Sequence, residues 1–192
     1  TLDSLHVLGL AAVALTSLVM ALLGSFVGGR ERVAEADPVF GWAVVSLVFT
    51  LAGVISRIPF TWLLYGVLVA AMTAGFAARW RDGSPGAKGW GKMILLTAPL
   101  IVLVAAMSPS QWDEFTQWLP NARFLFEHDT FPREGLPRSP STFPAYPPGH
   151  SLLIYMASRI AGHLVENAGA MFNFMLLLSF GLLVVRLFSM GR

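Results

Sequence analysis

Long apolar runs constrain this chain more than any other feature. Several approach the roughly 20 residues that a helix needs to cross the hydrocarbon core of a bilayer. Backbone polar groups have no water to bond to in that core, so such runs have to be helical. The chain is 55% hydrophobic and only 12% charged. A soluble domain carries about twice that charged fraction, so the sequence predicts an integral membrane protein.

The runs predict an all-α, polytopic membrane helix bundle with about five transmembrane helices. Residues 1–107 hold four of them, and residues 108–150 form a long extracytoplasmic loop bearing a juxtamembrane helix. Residues 151–192 complete the chain with an interfacial helix, Ser151–Leu164, and a final span. That interfacial stretch offers about fourteen residues, too few for a span. The predicted spans are Leu5–Val27, Phe40–Ile55, Phe60–Ala78, Met93–Met107 and Ala168–Phe188.

Basic residues orient these spans. The connectors Gly29–Pro38 and Arg79–Lys92 hold two and four Lys or Arg residues, whereas the turn after the second span holds one. Cytoplasmic loops are enriched in Lys and Arg, so both connectors are expected in the cytoplasm. Residues 108–150 then lie on the non-cytoplasmic side, and we expect a bacterial inner-membrane location.

Composition also excludes several classes of function. A net charge of +2, with basic residues near the membrane ends, argues against a nucleic-acid partner. The chain has no cysteine, which excludes disulfides, thiolate chemistry and cysteine-based zinc sites. The spans lack buried charge, which argues against a transporter or a proton channel.

Two glycines at the end of the first predicted span, Gly24 and Gly28, are four residues apart. This spacing either lets a second helix approach closely or marks an ordinary helix end. The second alternative is the more common one.

The polar segment is predicted to begin with a helix. Ser108 is the expected N-cap, Pro109 the first helical residue and Gln111 the residue that returns a capping bond. Pro120 should kink or break this helix. Its aromatic residues suit the headgroup level of a membrane; they are Trp112, Phe115 and Trp118.

Asp113 and Glu114 form an acidic pair on this helix. Adjacent helical residues point about 100° apart, so the two carboxylates cannot both face one substrate atom. One would then act on a substrate while the other binds a metal or a neighbouring helix. The alternative is that both only complement the dipole of the first helical turn.

The remainder of the loop holds further polar candidates. Glu127, His128 and Asp129 could bind a cation, but their spacing favours a solvated loop. Arg133 and Arg138 lie in a proline-rich stretch. They either hold a phosphate in bidentate fashion or sit among lipid headgroups.

Two motifs resemble a known family. WDEFTQWLPNARFL, at residues 112–125, is followed by YPPGHSLLIY at residues 146–155. This arrangement resembles the N-terminal part of the GT-C glycosyltransferases over residues 91–190. These multispan enzymes take a sugar from a polyprenyl-phosphate carrier on the outer face of the membrane.

The resemblance implies roles for particular residues. Asp113 would be the catalytic base, with Glu114 in support. It implies no metal ligands, and whether a divalent cation is needed stays open. Carrier-phosphate or sugar contacts would come from Arg123, Arg133, Arg138, Tyr146 and His150.

The resemblance leaves two functions open. Such enzymes usually have more spans, so the chain is either the N-terminal part of an enzyme or a short relative. The enzyme would use membrane lipids and a polyprenyl-phosphate sugar donor as partners. The short relative would be a non-catalytic accessory subunit that packs against other membrane protein subunits in a larger complex.

Overall fold

The computed structural model describes residues 3–29, 32–82, 90–145 and 147–190, and this part of the chain is helical without any strand. The predicted all-α class is therefore confirmed. A 3₁₀ turn, Ala34–Ala36, precedes the second helix, and a π-helical turn, Glu114–Trp118, precedes the fifth. The helices are α1 (Ser4–Val27), α2 (Asp37–Ile55), α3 (Phe60–Asp82), α4 (Trp90–Ala106), α5 (Leu119–His128), α6 (Gly149–Ala161) and α7 (Ala168–Met190).

Within the described ranges, four helical stretches are long and apolar enough to cross a membrane, so the chain is an integral membrane protein. They are Ser4–Val27, Ala34–Ile55, Phe60–Arg81 and Ala168–Ser189. The apolar helix α4 has 17 residues, which gives a length of about 25 Å. Its first residue, Trp90, lines a groove together with Pro38, and Met107, the residue after its last, lines a pocket together with Asp3. The helix therefore extends from the end of the bundle that contains Pro38 to the end that contains Asp3. A fifth span therefore stays a prediction.

Helix α1 is central, because it contacts α2, α3, α4, α6 and α7. Its closest approach is to α2. A Cβ added at Gly24 would lie 1.9 Å from the carbonyl oxygen of Asp37, and one at Gly41 would lie 1.8 Å from that of Met20. The two helices thus meet backbone to backbone, and Gly24 is a helix contact and not merely a terminal glycine.

Helix α6 is enclosed by protein. Every side chain from Ser151 to Ser158 is buried, and α1, α2, α5 and α7 surround the helix. The predicted helix is present, but the exposed face expected of a helix lying on a membrane surface is missing. Its orientation to the bilayer stays a prediction.

The bundle has two ends with different polar chemistry. The loop end contains Asp3, Phe60 and Met107, and the connector end contains Gly28 and Trp90. At the connector end three arginines engage an acid or the backbone. Arg32 Nε lies 3.1 Å from Asp37 Oδ2, Arg186 Nη1 lies 2.8 Å from Glu35 Oε2, and Arg81 Nη2 donates to the carbonyl of Ser25 at 2.8 Å.

Candidate functional site

The acidic pair lies on a helical turn whose start differs from the prediction. The turn begins at Trp112. Glu114 Oε2 accepts the backbone N–H groups of Ser110, at 2.8 Å, and Gln111, at 2.9 Å. The cap predicted for Ser108 is therefore wrong, and Glu114 supplies the returning bond that was assigned to Gln111.

Pro120 interrupts the α-helical hydrogen bonding, and the turn before it is π-helical. Leu119 N–H bonds to the carbonyl of Glu114, five residues back. Proline has no N–H, so Thr116, four residues before it, lacks the usual helical donor for its carbonyl. The backbone N–H of Thr142 donates to that oxygen at 2.9 Å, and the hydroxyl of Ser141 donates at 3.3 Å. The break therefore attaches the proline-rich loop to the acidic helix.

Two more hydrogen bonds strengthen this attachment. The hydroxyl of Ser139 donates to Asn121 Oδ1 at 3.0 Å, and Asn121 Nδ2 donates to the carbonyl of Phe143 at 3.4 Å. Residues 139–143 are thus held along the start of α5. We call residues 110–121 with residues 133–143 the acid–arginine unit.

Within this unit the two adjacent acids, Asp113 and Glu114, have different surroundings. Glu114 is half-buried and engaged with backbone N–H groups, whereas Asp113 is exposed. Among the described residues, Asp113 has no hydrogen-bond or ion-pair partner. Its neighbours Trp112 and Phe115 are exposed too. Asp113 is therefore the carboxylate available to a ligand.

His150 lies in an open groove of about 360 Å³, lined by Trp42, Trp118, Pro147, Gly149, His150 and Asn173. Trp42 Nε1 donates to the carbonyl of Gly149 at 3.1 Å, which fixes one wall. The Trp118 ring lies edge-on to the imidazole, with 5.1 Å between centroids. Burial lowers the pKa of His150, and the negative charge of Glu114 opposes this shift. The groove therefore presents the His150 imidazole beside the indoles of Trp42 and Trp118.

The α7 backbone closes the back of the groove. A Cβ added at Gly169 would lie 2.5 Å from His150 Nε2. Only glycine at this position leaves room for the imidazole. The groove thus depends on α2, α6, α7 and the turn before α5.

The arginine candidates separate into two kinds. Arg133 and Arg138 are exposed and line one cleft of about 460 Å³. Within the described ranges, neither guanidinium has a hydrogen-bond or ion-pair partner. Arg123 instead pairs with Glu166 at 3.1 Å, with both side chains about half exposed. Tyr146 lies outside the described residues.

Asp129 was expected in a solvated loop, and that expectation is wrong. Its carboxylate accepts hydrogen bonds from Tyr155 Oη at 2.5 Å, Thr61 Oγ1 at 2.9 Å and Arg159 Nη2 at 3.1 Å. It also accepts the N–H of Thr61, and its carbonyl accepts the N–H of Phe60 at 2.8 Å. Asp129 thus caps the start of α3 from a distant part of the chain.

Arg159 and Tyr155 complete this Asp129 cluster. The Arg159 guanidinium carbon lies 4.9 Å from the centre of the Phe126 ring, a cation–π distance. Burial raises the pKa of the Tyr155 hydroxyl, and the bond to Asp129 raises it further, so this hydroxyl stays a donor. Sequence spacing carries no signal for the cluster, because Thr61 and Asp129 are 68 residues apart.

No group of three or more His, Asp or Glu side chains in the described ranges is arranged to hold a metal ion. The chain has no significant match to a protein-family model, to a curated protein or to a solved structure. The features that bear on function are therefore the acid–arginine unit, the His150 groove and the membrane helices that carry them.

Proposed function

We propose that the chain is a membrane glycosyltransferase, or the N-terminal part of one, that moves a sugar from a polyprenyl-phosphate carrier to an acceptor. One observation carries this proposal. Among the described residues, the Asp113 carboxylate and the Arg133 and Arg138 guanidiniums have no hydrogen-bond or ion-pair partner, and all three belong to one hydrogen-bonded unit of a membrane protein. Acceptor activation and phosphate binding need these two kinds of group.

The transfer step follows from this arrangement. Asp113 takes the proton from an acceptor hydroxyl while that oxygen attacks the anomeric carbon of the sugar. The bond from the anomeric carbon to the carrier phosphate breaks, and the phosphate leaves with the electron pair. Guanidinium groups stabilise its negative charge by paired hydrogen bonds. Glu114 holds the turn that positions Asp113.

The His150 groove supplies a surface for the sugar. Its two indoles, Trp42 and Trp118, offer apolar faces, and Asn173 offers an amide. A groove of about 360 Å³ lies within the usual range for small-ligand sites. Burial lowers the pKa of His150, which favours the neutral imidazole, and this ring can share a hydrogen bond with a sugar hydroxyl.

The test is sugar transfer by membranes that contain the full-length protein. Asp113→Asn keeps the shape of the side chain but removes the base, so transfer from a polyprenyl-phosphate sugar should fall by a factor of roughly 10² or more. Glu114→Gln should lose less, because its main bonds are to the backbone. Glu127→Gln is the matched control, since Glu127 is an exposed acid on α5.

An Asp113→Asn protein that transfers sugar at the normal rate would remove Asp113 from the mechanism. Equal losses in Asp113→Asn and Glu127→Gln would point to a general charge effect. Thermal unfolding of each variant separates loss of the base from loss of the fold.

Sidedness is part of the proposal. We infer that the acid–arginine unit lies outside the cytoplasm. The concentration of Lys and Arg in the two connectors, at the opposite end of the bundle, supports this orientation. The chain has no cysteine, so single cysteines can be labelled without background. In intact cells a cysteine at the exposed Glu134 should react with a membrane-impermeant thiol reagent. One at Gly83, outside the described residues, should not, and the reverse pattern would overturn the orientation.

The alternative is an accessory subunit of a larger membrane complex. One observation is compatible with it: on α4, Leu95 and Leu96 are 76% and 68% exposed. This face suits a partner helix as well as lipid. Purification in fixed ratio with other membrane subunits, together with failure to bind any polyprenyl phosphate, would support this alternative over the enzyme.

A further inference from the structure

A second groove, of about 320 Å³, lies at the connector end, away from the acid–arginine unit. Its walls come from α1, α2, α4 and α7. Along α1 it extends from Leu22 to Ala14, which corresponds to about 12 Å of helix. Ile94, Phe172 and Met175 form the rest of an apolar wall. These helices include three of the membrane-crossing stretches, so the groove is open to lipid chains.

Two polar residues interrupt this apolar lining. Asp37 is 2% exposed, and its Oδ2 accepts a hydrogen bond from Arg32 Nε at 3.1 Å. Its other carboxylate oxygen, Oδ1, is buried and accepts no hydrogen bond from any described residue. The hydroxyl oxygen of Ser17, which lies farther along α1, is also buried and has no hydrogen-bond partner among the described residues. A buried acceptor without a donor is unfavourable, and here the acceptor carries negative charge.

The position of Asp37 fits a headgroup. Asp37 opens α2, directly after the 3₁₀ turn that ends the first connector. Trp90, at the start of α4, lines the same mouth, and tryptophan is enriched at the membrane–water interface. The mouth of the groove is therefore at headgroup level, and its apolar part extends toward the middle of the bilayer.

We propose that this groove binds a phospholipid whose headgroup carries a primary ammonium. One acyl chain lies along α1, and the ammonium donates a hydrogen bond to Asp37 Oδ1. Arg32 keeps its bond to Oδ2, so the carboxylate becomes satisfied on both oxygens. Charge and donor number select this headgroup. A choline headgroup has no N–H to donate, and a headgroup without a cation brings no positive charge to pair with the carboxylate.

The test compares two lipids that differ only in the headgroup. The full-length protein, purified in detergent, is incubated with phosphatidylethanolamine or phosphatidylcholine of the same acyl chains, and bound lipid is counted by native mass spectrometry. The ethanolamine lipid should be retained about tenfold better, the effect of one charge-assisted hydrogen bond. Equal retention of the two lipids would overturn the proposal.

Two variants separate the contribution of the lipid headgroup to binding from that of the acyl chain. In Asp37→Asn the amide oxygen stays with Arg32 and the amide NH₂ faces the ammonium, so the ethanolamine preference should disappear. Ala21→Phe fills the groove and keeps the Asp37 carboxylate, so it should reduce retention of both lipids. Ala70→Phe, on an exposed position of α3, is the matched control and should retain both.

The proposal can still be tested if the Asp37→Asn variant does not fold. If Asp37→Asn does not fold, the headgroup comparison in the native protein and the Ala21→Phe result still decide the matter. An ethanolamine preference that persists in a folded Asp37→Asn protein, or undiminished retention in Ala21→Phe, would place the lipid elsewhere.

Discussion

The turn that leads into α5 and the turn that ends it each hold an aspartate, and the two carboxylates have opposite surroundings. Asp129 accepts hydrogen bonds from three side chains, and its side chain is only 21% exposed. Asp113 is exposed and has no such partner among the described residues. The same residue type, sixteen positions apart, thus serves the fold at one end and is available for chemistry at the other.

The difference follows from what each turn contacts. Asp129 meets the start of α3, whose first N–H groups have no acceptor within their own helix. Its carboxylate accepts the N–H of Thr61, and its carbonyl accepts the N–H of Phe60. At the other turn Glu114 already satisfies the N–H groups of Ser110 and Gln111. The Asp113 side chain is therefore not needed to satisfy the backbone at this turn.

The largest expected effect tests the structural half of this comparison. Asp129→Ala leaves Arg159 and the Tyr155 hydroxyl without their acceptor and removes the cap of α3. Breaking a buried ion pair costs about 3–5 kcal/mol, and partial exposure places this case near the lower value. The free energy of unfolding, measured by denaturant titration in mixed micelles, should fall by about 3 kcal/mol.

Asp113→Ala is the matched change at the other turn. It should shift the free energy of unfolding by no more than about 0.5 kcal/mol, as for most surface substitutions. Equal losses in the two variants would show that Asp113 is also structural, and the proposed role of Asp113 as a base would weaken with it.

Apolar runs were sufficient to predict a helical membrane bundle, because the need to satisfy backbone groups in lipid leaves little choice. The break at Pro120 was predictable from the missing N–H. The donors that use the freed carbonyl, Thr142 and Ser141, were not. They lie more than twenty residues away, and local pattern does not say which distant groups meet.

Helix α6 shows the same limit. Its arginine made a surface position reasonable, since an unpaired charge is costly to bury. Pairing of Arg159 with Asp129 at 3.1 Å removes that objection, and the helix is enclosed. The pairing depends on tertiary contacts between α5 and α6, which periodicity does not encode. The His150 groove is equally hidden, because its walls come from four separate parts of the chain.

A smaller effect concerns the attachment of the loop to the Asp113 turn. Pro120→Ala restores an N–H that competes for the carbonyl of Thr116, so the bond from Thr142 should weaken by about 1 kcal/mol. The amide of Thr142 should then exchange with deuterium about fivefold faster. Pro144→Ala, an exposed proline in the same loop, should leave the exchange unchanged. Unchanged exchange in Pro120→Ala would mean that other bonds hold the loop.

The smallest expected effect is a pH dependence that comes from the His150 groove. Burial lowers the pKa of His150 below its ordinary value of 6.5, so the unfolded chain binds a proton there more readily than the folded one. The contribution of His150 to the free energy of unfolding is then constant well above pH 6.5 and falls as the pH drops below that value. His150→Gln, which cannot titrate, should remove this part of the acid sensitivity.

Glu114 makes this pH effect a test of whether the acidic turn and the groove form one site. Its negative charge raises the pKa of His150 against the effect of burial. Glu114→Gln removes that charge, so the pKa of His150 should fall further and the loss of stability below pH 6.5 should deepen. The double variant Glu114→Gln/His150→Gln should not show the deepening. If Glu114→Gln alone leaves the stability curve parallel to that of the native protein, the two groups do not interact, and the acidic turn and the groove would have to be treated as separate sites.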